Sequence, residues 1–178
     1  MTELLDLLAT RSARRGQFTL ASGKQSTLYI DARLTTMSPD GLALIGPLGL
    51  QALQRAGWRV DSLGGLTLGA DPVSYASALA GTPVRCFTVR KEAKGHGTGR
   101  LIEGSFREGD RVAVVEDVIT TGGSALRAVA AVRAAGGVVA GVLALVDREE
   151  GGREAIEGEG LEVVALTRAS DIVRRMDG

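Results

Sequence analysis

Apolar and polar residues along this chain follow two periods in turn, and the switches between them predict a succession of strands and helices. Over residues 2–14, Leu4, Leu5 and Leu8 recur at helical spacing, with Thr2 placed to cap the segment. Residues 18–31 are mixed and broken at Ser22-Gly23, the pattern of two extended pieces joined by a turn. A second helix spans residues 39–56: Ser38 is its cap, Pro39 suits a first helical position that needs no N–H, and Gly57 follows its end. A strand over 62–68 then leads to a helix over 72–80, for which Asp71 is a candidate cap. A strand over 84–89 leads to a polar loop, and a strand over 111–115 leads to a helix over 124–135. Residues 138–146 are continuously apolar, as in a strand covered on both faces; a shorter strand covers 161–166 and a closing helix 169–176. Such alternation predicts an α/β fold with a central, mainly parallel sheet flanked by helices.

Length and charge narrow the class. The 178 residues can bury one sizeable core, and no linker, repeat or low-complexity tract divides them, so residues 1–178 read as a single domain. The 21 basic and 21 acidic side chains cancel, which removes the general attraction that nucleic acid and anionic membranes rely on. Three Phe, two Tyr and one Trp are too few for a base-stacking platform. Cys86 is the single cysteine, so an intrachain disulfide and a cysteine zinc cage are excluded; its apolar surroundings predict a small buried hydrophobe. Glu3 and Asp6 stand where a signal peptide would be basic, and no apolar run approaches the ~20 residues of a membrane span. A cytoplasmic protein with neither membrane nor nucleic acid as partner is the expectation.

The stretch from Arg111 to Ala125 carries the chemistry. An apolar strand ends in Glu116-Asp117, a turn follows with Thr120-Thr121-Gly122-Gly123-Ser124, and an Ala-rich helix begins. Such a turn gathers backbone N–H groups and the positive end of a helix dipole around one point, which suits a phosphate monoester. Two carboxylates beside a phosphate make sense if they accept hydrogen bonds from neutral sugar hydroxyls or help hold a magnesium ion. There is no Gly-Lys-Ser/Thr, so this is not a Walker A loop. The order of residues closely resembles the 5-phosphoribosyl-1-pyrophosphate (PRPP) signature of the type I phosphoribosyltransferases.

Three further segments resemble the orotate phosphoribosyltransferases in particular. Arg90-Lys91-Glu92-Ala93-Lys94-Gly95-His96-Gly97 is similar to their catalytic loop, and its five basic side chains through Arg100, set among small residues, have the composition of a lid that closes over pyrophosphate. The run from Phe18 to Asp31, with Ser22-Gly23-Lys24 and Tyr29, looks like their base-binding segment, and Asp147-Arg148-Glu149-Glu150-Gly151 like their Asp-Arg-x-Glu-x-Gly segment. The resemblance runs from about residue 15 to residue 170, in four motifs in order.

That resemblance implies roles. Glu116 and Asp117 would hold the ribose hydroxyls, and Thr120, Thr121, Gly122, Gly123 and Ser124 the 5-phosphate. Arg90, Lys91, Lys94 and His96 would neutralise pyrophosphate, with Lys94, His96 and Asp117 as the catalytic set. Ser22, Gly23, Lys24, Tyr29, Thr120 and Arg148 would bind orotate. It also implies Mg²⁺ held mainly by PRPP, a homodimer sharing the lid across its interface, and a hood built from residues 1–35 and the C-terminal segment over a core of residues 36–165. The chain departs from the family's pattern twice. Ala21 stands where some members have Lys, and Thr67-Leu68 where members often carry Tyr-Lys in the pyrophosphate turn, leaving that turn without a cation. The activity implied is transfer of phosphoribose from PRPP to orotate in pyrimidine synthesis; an adenine-type purine phosphoribosyltransferase and a PRPP-sensing regulator of the same fold are the alternatives.

Overall fold

The computed structural model describes residues 1–19, 23, 25–81, 83–92 and 101–178. The chain opens with α1 (Thr2–Leu7), passes through a π-helical turn at Leu8–Ser12, and enters β1 (Ala13–Thr19). The helix expected through residue 14 is thus cut short. Ala13, Arg14 and Arg15 pair antiparallel with Ile30, Tyr29 and Leu28 of β2 (Gln25–Ile30), a ladder formed with a partner that local periodicity does not reveal. Thr2 makes no cap; Met1 holds that position without a side-chain bond. A single turn, α2 (Arg33–Thr36), precedes α3 (Pro39–Arg55), which begins as its residues dictate, with Ser38 Oγ accepting from Gly41 N at 3.2 Å and Pro39 in the first turn.

The remainder is β3 (Ser62–Leu66), α4 (Ala70–Leu79), β4 (Arg85–Val89), β5 (Ile102–Gly104), β6 (Arg111–Ile119), α5 (Gly123–Ala134), β7 (Val138–Asp147), α6 (Gly152–Glu157), β8 (Val163–Arg168) and α7 (Ala169–Asp177). The six-stranded sheet has the order β5-β4-β3-β6-β7-β8, parallel throughout except for edge strand β5. Its two faces bury separate apolar clusters. Ala113, Val115, Leu143 and Leu145 pack beneath α1, α3, α4 and α7, while Val112, Val114, Val142 and Ala144 pack against α5 and α6. Ion pairs of Arg15 with Asp177 and of Arg175 with Asp6 tie the first and last segments together. Cys86 is only half-buried, with Sγ 3.7 Å from the Ser74 carbonyl, and desolvation pushes its thiol pKa up. No helix among the described residues is long and apolar enough to cross a membrane.

The order of strands sets where a ligand fits. Connections run outward from β3 on one side and from β6 on the other, so the two central strands flank the switch point at which open α/β sheets form a crevice at their carboxyl ends. Here β3 and β6 pair only from Ser62↔Val112 to Gly64↔Val114, while β6 continues beside β7 as far as Ile119↔Asp147. The strand expected to stop at residue 115 therefore runs through the acidic pair, because β7 supplies its ladder partners. Gly65 makes the close approach possible: a Cβ there would lie 1.9 Å from the Val115 carbonyl oxygen and 2.7 Å from Ala70 Cβ. Gly65→Ala is expected to destabilise the protein by about 1–3 kcal/mol through overpacking against backbone, seen as a melting temperature lowered by several degrees; unchanged melting would contradict the packing assigned to this seam.

Candidate active site

A cleft of about 340 Å³ opens at that switch point. One lip is the turn Leu66–Gly69, whose Thr67–Leu68 peptide is cis. Its floor is Glu116, Asp117 and Val118 on the free edge of β6, and its far wall holds Thr120, Ser124 and Arg148. Tyr29, Asp31 and Arg33 come in from the N-terminal hairpin and α2, and Lys91 from the end of β4. Of the residues singled out from sequence, the cleft thus unites Tyr29, Lys91, Glu116, Asp117, Thr120, Ser124 and Arg148.

Next to it, Thr120 to Ala125 and Glu116 line a smaller cavity of about 80 Å³. Gly122, in the left-handed region at φ 81°, caps α5, and the first intrahelical bond runs from Leu126 N to the Gly122 carbonyl at 2.9 Å. The N–H groups of Gly123, Ser124 and Ala125 precede that bond, and the first turn of α5 holds no acid. Thr121, Gly122 and Gly123 belong to this cradle rather than to the main cleft.

The carboxylates differ. Glu116 is 6% exposed, and its Oε2 is buried without a hydrogen-bond partner. Burial, and then the neighbouring Asp117, push its pKa well above the ordinary 4.5. Asp117 is half-buried, accepts from Val118 N at 2.9 Å, and fills the space left by the missing side chain of Gly69, where a Cβ would lie 2.4 Å from its Oδ1.

Arg148, 6% exposed, stands where the hairpin meets the sheet. Its Nη2 donates to the Leu28 carbonyl at 3.0 Å, to Ser26 Oγ at 3.2 Å and to Glu150 Oε1 at 2.5 Å. Nε also donates to Glu150, at 3.2 Å, which leaves Nη1 outside these bonds. Behind it Asp147 accepts from Glu149 N at 2.9 Å and Arg153 Nε at 2.7 Å, fixing the loop that presents the guanidinium. Tyr29 is 39% exposed and packs on Phe18 with ring centroids 5.3 Å apart, so it is a cleft residue and not a core one. Arg33 holds Asp31 by two bonds of 2.8 and 2.9 Å and keeps its carboxyl below the usual range.

Other expectations fall elsewhere. Arg90 is not a lining residue of the cleft: it lies 3.7 Å from Glu103, turned toward the β5 edge. Gly23 is exposed, at φ 81°, and is likewise not part of the lining. Ser22, Lys24, Lys94 and His96, together with Ala21, lie outside the described residues. Asp71 does not cap α4, which starts earlier, at Ala70; it accepts instead from Thr67 and Thr88. Sequence reasoning missed Arg33. Ser26 lies in the segment 18–31 that resembles the family's base-binding run, but its bond to Arg148, 122 positions away, has no local signal.

A mainly parallel sheet whose switch point holds a helix-start cradle of free N–H groups and paired carboxylates defines the class: the fold is that of the type I phosphoribosyltransferases. No family model matches the chain. It is 46% identical over 177 residues to orotate phosphoribosyltransferase of Aquifex aeolicus, covering 97% of this chain and 96% of that one. With its counterpart in Mycobacterium avium it shares 48% identity over 173 residues, with 97% and 96% covered. The crystal structure of the Mycobacterium tuberculosis orotate phosphoribosyltransferase in complex with PRPP superposes at TM-score 0.83 and 45% identity, over 96% of this chain and 97% of that one. The chain belongs to the orotate phosphoribosyltransferase family.

The raised pKa of Glu116 gives the site a measurable cost. The unfolded chain releases this proton near pH 4.5 and the folded chain only at higher pH. Stability tied to the group is therefore fully present below the unfolded value and is lost as pH rises through the folded one. Glu116→Gln is expected to raise the melting temperature of the ligand-free protein at neutral pH by about 2–4 °C, the shift ~1 kcal/mol gives a chain of this size. The gain should shrink toward pH 4.5; a variant that melts no higher than wild type at neutral pH would refute the assignment.

Proposed function

We propose that this chain transfers the phosphoribosyl group of PRPP to a ring nitrogen of orotate, giving orotidine 5-monophosphate and pyrophosphate in pyrimidine synthesis. One observation carries the reading: the α5 cradle, the Glu116–Asp117 carboxylates and the buried Arg148 converge on adjoining cavities at the β3–β6 switch point. The likeness to a relative solved with PRPP supports it.

The residues divide the work. Free N–H groups at the start of α5, with the hydroxyls of Thr120, Thr121 and Ser124, suit the 5-phosphate. Glu116 and Asp117 suit the ribose hydroxyls, which would give the buried Glu116 Oε2 the donor it lacks in the free protein. Lys91 lines the cleft and suits the departing pyrophosphate, and Lys94 and His96 follow it in the sequence. Arg148 Nη1 suits the orotate carboxylate or a carbonyl, and Tyr29 offers a flat apolar wall beside the base.

In the reaction the C1–O bond to pyrophosphate breaks and its electron pair leaves with the pyrophosphate. The ring nitrogen forms the new C1–N bond and gives up its proton, which passes to the departing pyrophosphate or to solvent, and the sugar goes through an oxocarbenium-like state, as in glycoside hydrolysis. No enzyme nucleophile is needed. The protein aligns the two substrates and steadies the departing charge.

Magnesium fits this site as an ion carried in by substrate. Among the described residues no three His, Cys, Asp or Glu side chains are grouped to hold a metal, while Glu116 and Asp117 offer hard oxygen donors at the cleft floor. Bound to PRPP, the ion supplies charge neutralisation for the leaving group.

The reading includes a cytoplasmic homodimer. The outer face of α3 and α4 carries an apolar groove of about 480 Å³ lined by Leu42, Pro47, Tyr75, Ala76 and Leu79, and Leu79 is 89% exposed. A twofold axis would set this face against its own copy.

Three experiments test these statements. With Mg²⁺ and PRPP the protein is expected to consume orotate, followed by its absorbance, and to leave adenine untouched; the reverse would sink the reading. In the same preparation Asp117→Asn should weaken PRPP binding about tenfold, the scale of a lost hydrogen bond to a charged group, and equal affinity by calorimetry would remove Asp117 from sugar recognition. Leu79→Asp should turn a dimer into a monomer by light scattering; a wild-type monomer, or a variant that stays dimeric, would reject this face as the contact.

A further inference from the structure

The turn from Leu66 to Gly69 lines the cleft with no cationic side chain. What it offers pyrophosphate it must offer through backbone N–H groups, and these help only if the turn already has the right shape when the ligand arrives. Asp117 backs this turn at Gly69. A second carboxylate backs it at Thr67. Asp71, in the first turn of α4, accepts from Thr67 Oγ1 at 2.7 Å through one oxygen and from Thr88 Oγ1 at 2.8 Å through the other.

The protons order this group. Thr88 spends its single hydroxyl proton on Asp71, so the Tyr75 hydroxyl, 3.0 Å away, donates to Thr88 Oγ1. The chain of bonds therefore runs Tyr75 to Thr88 to Asp71, with Thr67 joining from the other side. Thr67 is also held by its main chain, whose N–H donates to the Val89 carbonyl at 2.8 Å. One residue of the turn is thus gripped twice, by α4 through its side chain and by β4 through its backbone. A bare carboxylate one turn from a polyanion site would repel the ligand; here both oxygens face hydroxyl donors, and the charge sits at the favourable end of the α4 dipole.

We propose that Asp71 is a positioning residue for the pyrophosphate turn, holding Thr67 and Thr88 so that the turn presents its backbone to pyrophosphate without help from a lysine. The inference rests on the phosphoribosyl-transfer reading above. Asp71 touches no substrate; it acts through Thr67.

The test separates the pyrophosphate half of the ligand from the sugar-phosphate half. Inorganic pyrophosphate and ribose 5-phosphate are titrated separately by calorimetry into wild type, Asp71→Ala, Thr88→Val and Thr88→Ser. Asp71→Ala and Thr88→Val are expected to lose about tenfold in pyrophosphate affinity, with ribose 5-phosphate affinity unchanged and a matching rise in KM for PRPP but not for orotate. Thr88→Ser should restore pyrophosphate binding, because it returns the hydroxyl. Thr88→Val keeps the β-branched shape that suits β4, so it carries the test even if Asp71→Ala fails to fold. Unchanged pyrophosphate affinity in the variants, or an equal loss for both ligands, overturns the proposal while the functional reading stands. Wild-type protein that binds neither ligand sinks both.

Discussion

Between β3 and β6 the sheet changes the direction of its connections, and the two strands stay paired for only three residues, Ser62 to Gly64 against Val112 to Val114. Gly65 keeps them close at the point of separation, since its missing Cβ is what lets Val115 and Ala70 approach. Beyond that point β3 turns away while β6 runs on beside β7. The wedge between them is the cleft. Every group in it takes its position from this divergence: the Leu66–Gly69 turn on one lip, Glu116 and Asp117 on the edge of β6 that β3 has left, and the start of α5 where β6 ends.

An edge so exposed would cost little if it carried apolar or fully solvated groups. It carries instead a buried carboxyl with one unpartnered oxygen, an arrangement that a fold selected for stability alone would replace. On the proposed reading, a ligand bearing vicinal hydroxyls would remove that penalty on binding, and part of the affinity for the sugar would be stability withheld from the free protein. Arg148 follows the opposite logic. Its guanidinium is nearly saturated by Leu28, Ser26 and Glu150 before any ligand binds, and it docks the N-terminal hairpin on the sheet while leaving one nitrogen for the cleft.

What the sequence reveals divides along the same line. The phosphate cradle is legible because all its parts are consecutive: an apolar strand, two acids, a hydroxyl- and glycine-rich turn and a helix start within Arg111–Ala125. The start of α3 is legible for the same reason, through Ser38 and Pro39. The continuation of β6 past its acids is not, because the decision belongs to β7, a strand that follows α5. Three short elements, α2, β5 and α6, have too few residues to display a period. Asp71 shows the limit most clearly. An acid at a helix start reads as a cap, yet here hydroxyls from the preceding turn and from β4 claim both of its oxygens.

Donor and acceptor recognition are therefore built differently. The side proposed for the donor is one continuous stretch, β6 into α5, and its strand half belongs to the sheet's central strands. The side proposed for the acceptor is assembled from pieces far apart in sequence, with Tyr29 on β2 and Arg148 after β7, joined by hydrogen bonds from Arg148 to Leu28 and Ser26. Substitutions in the hairpin can reshape the base pocket while leaving the phosphate cradle and the carboxylates in place. On the proposed reading, physical separation of this kind would let one sugar-donor site serve different bases, with base choice in the hairpin and the loop after β7 rather than in the motif that announces the donor.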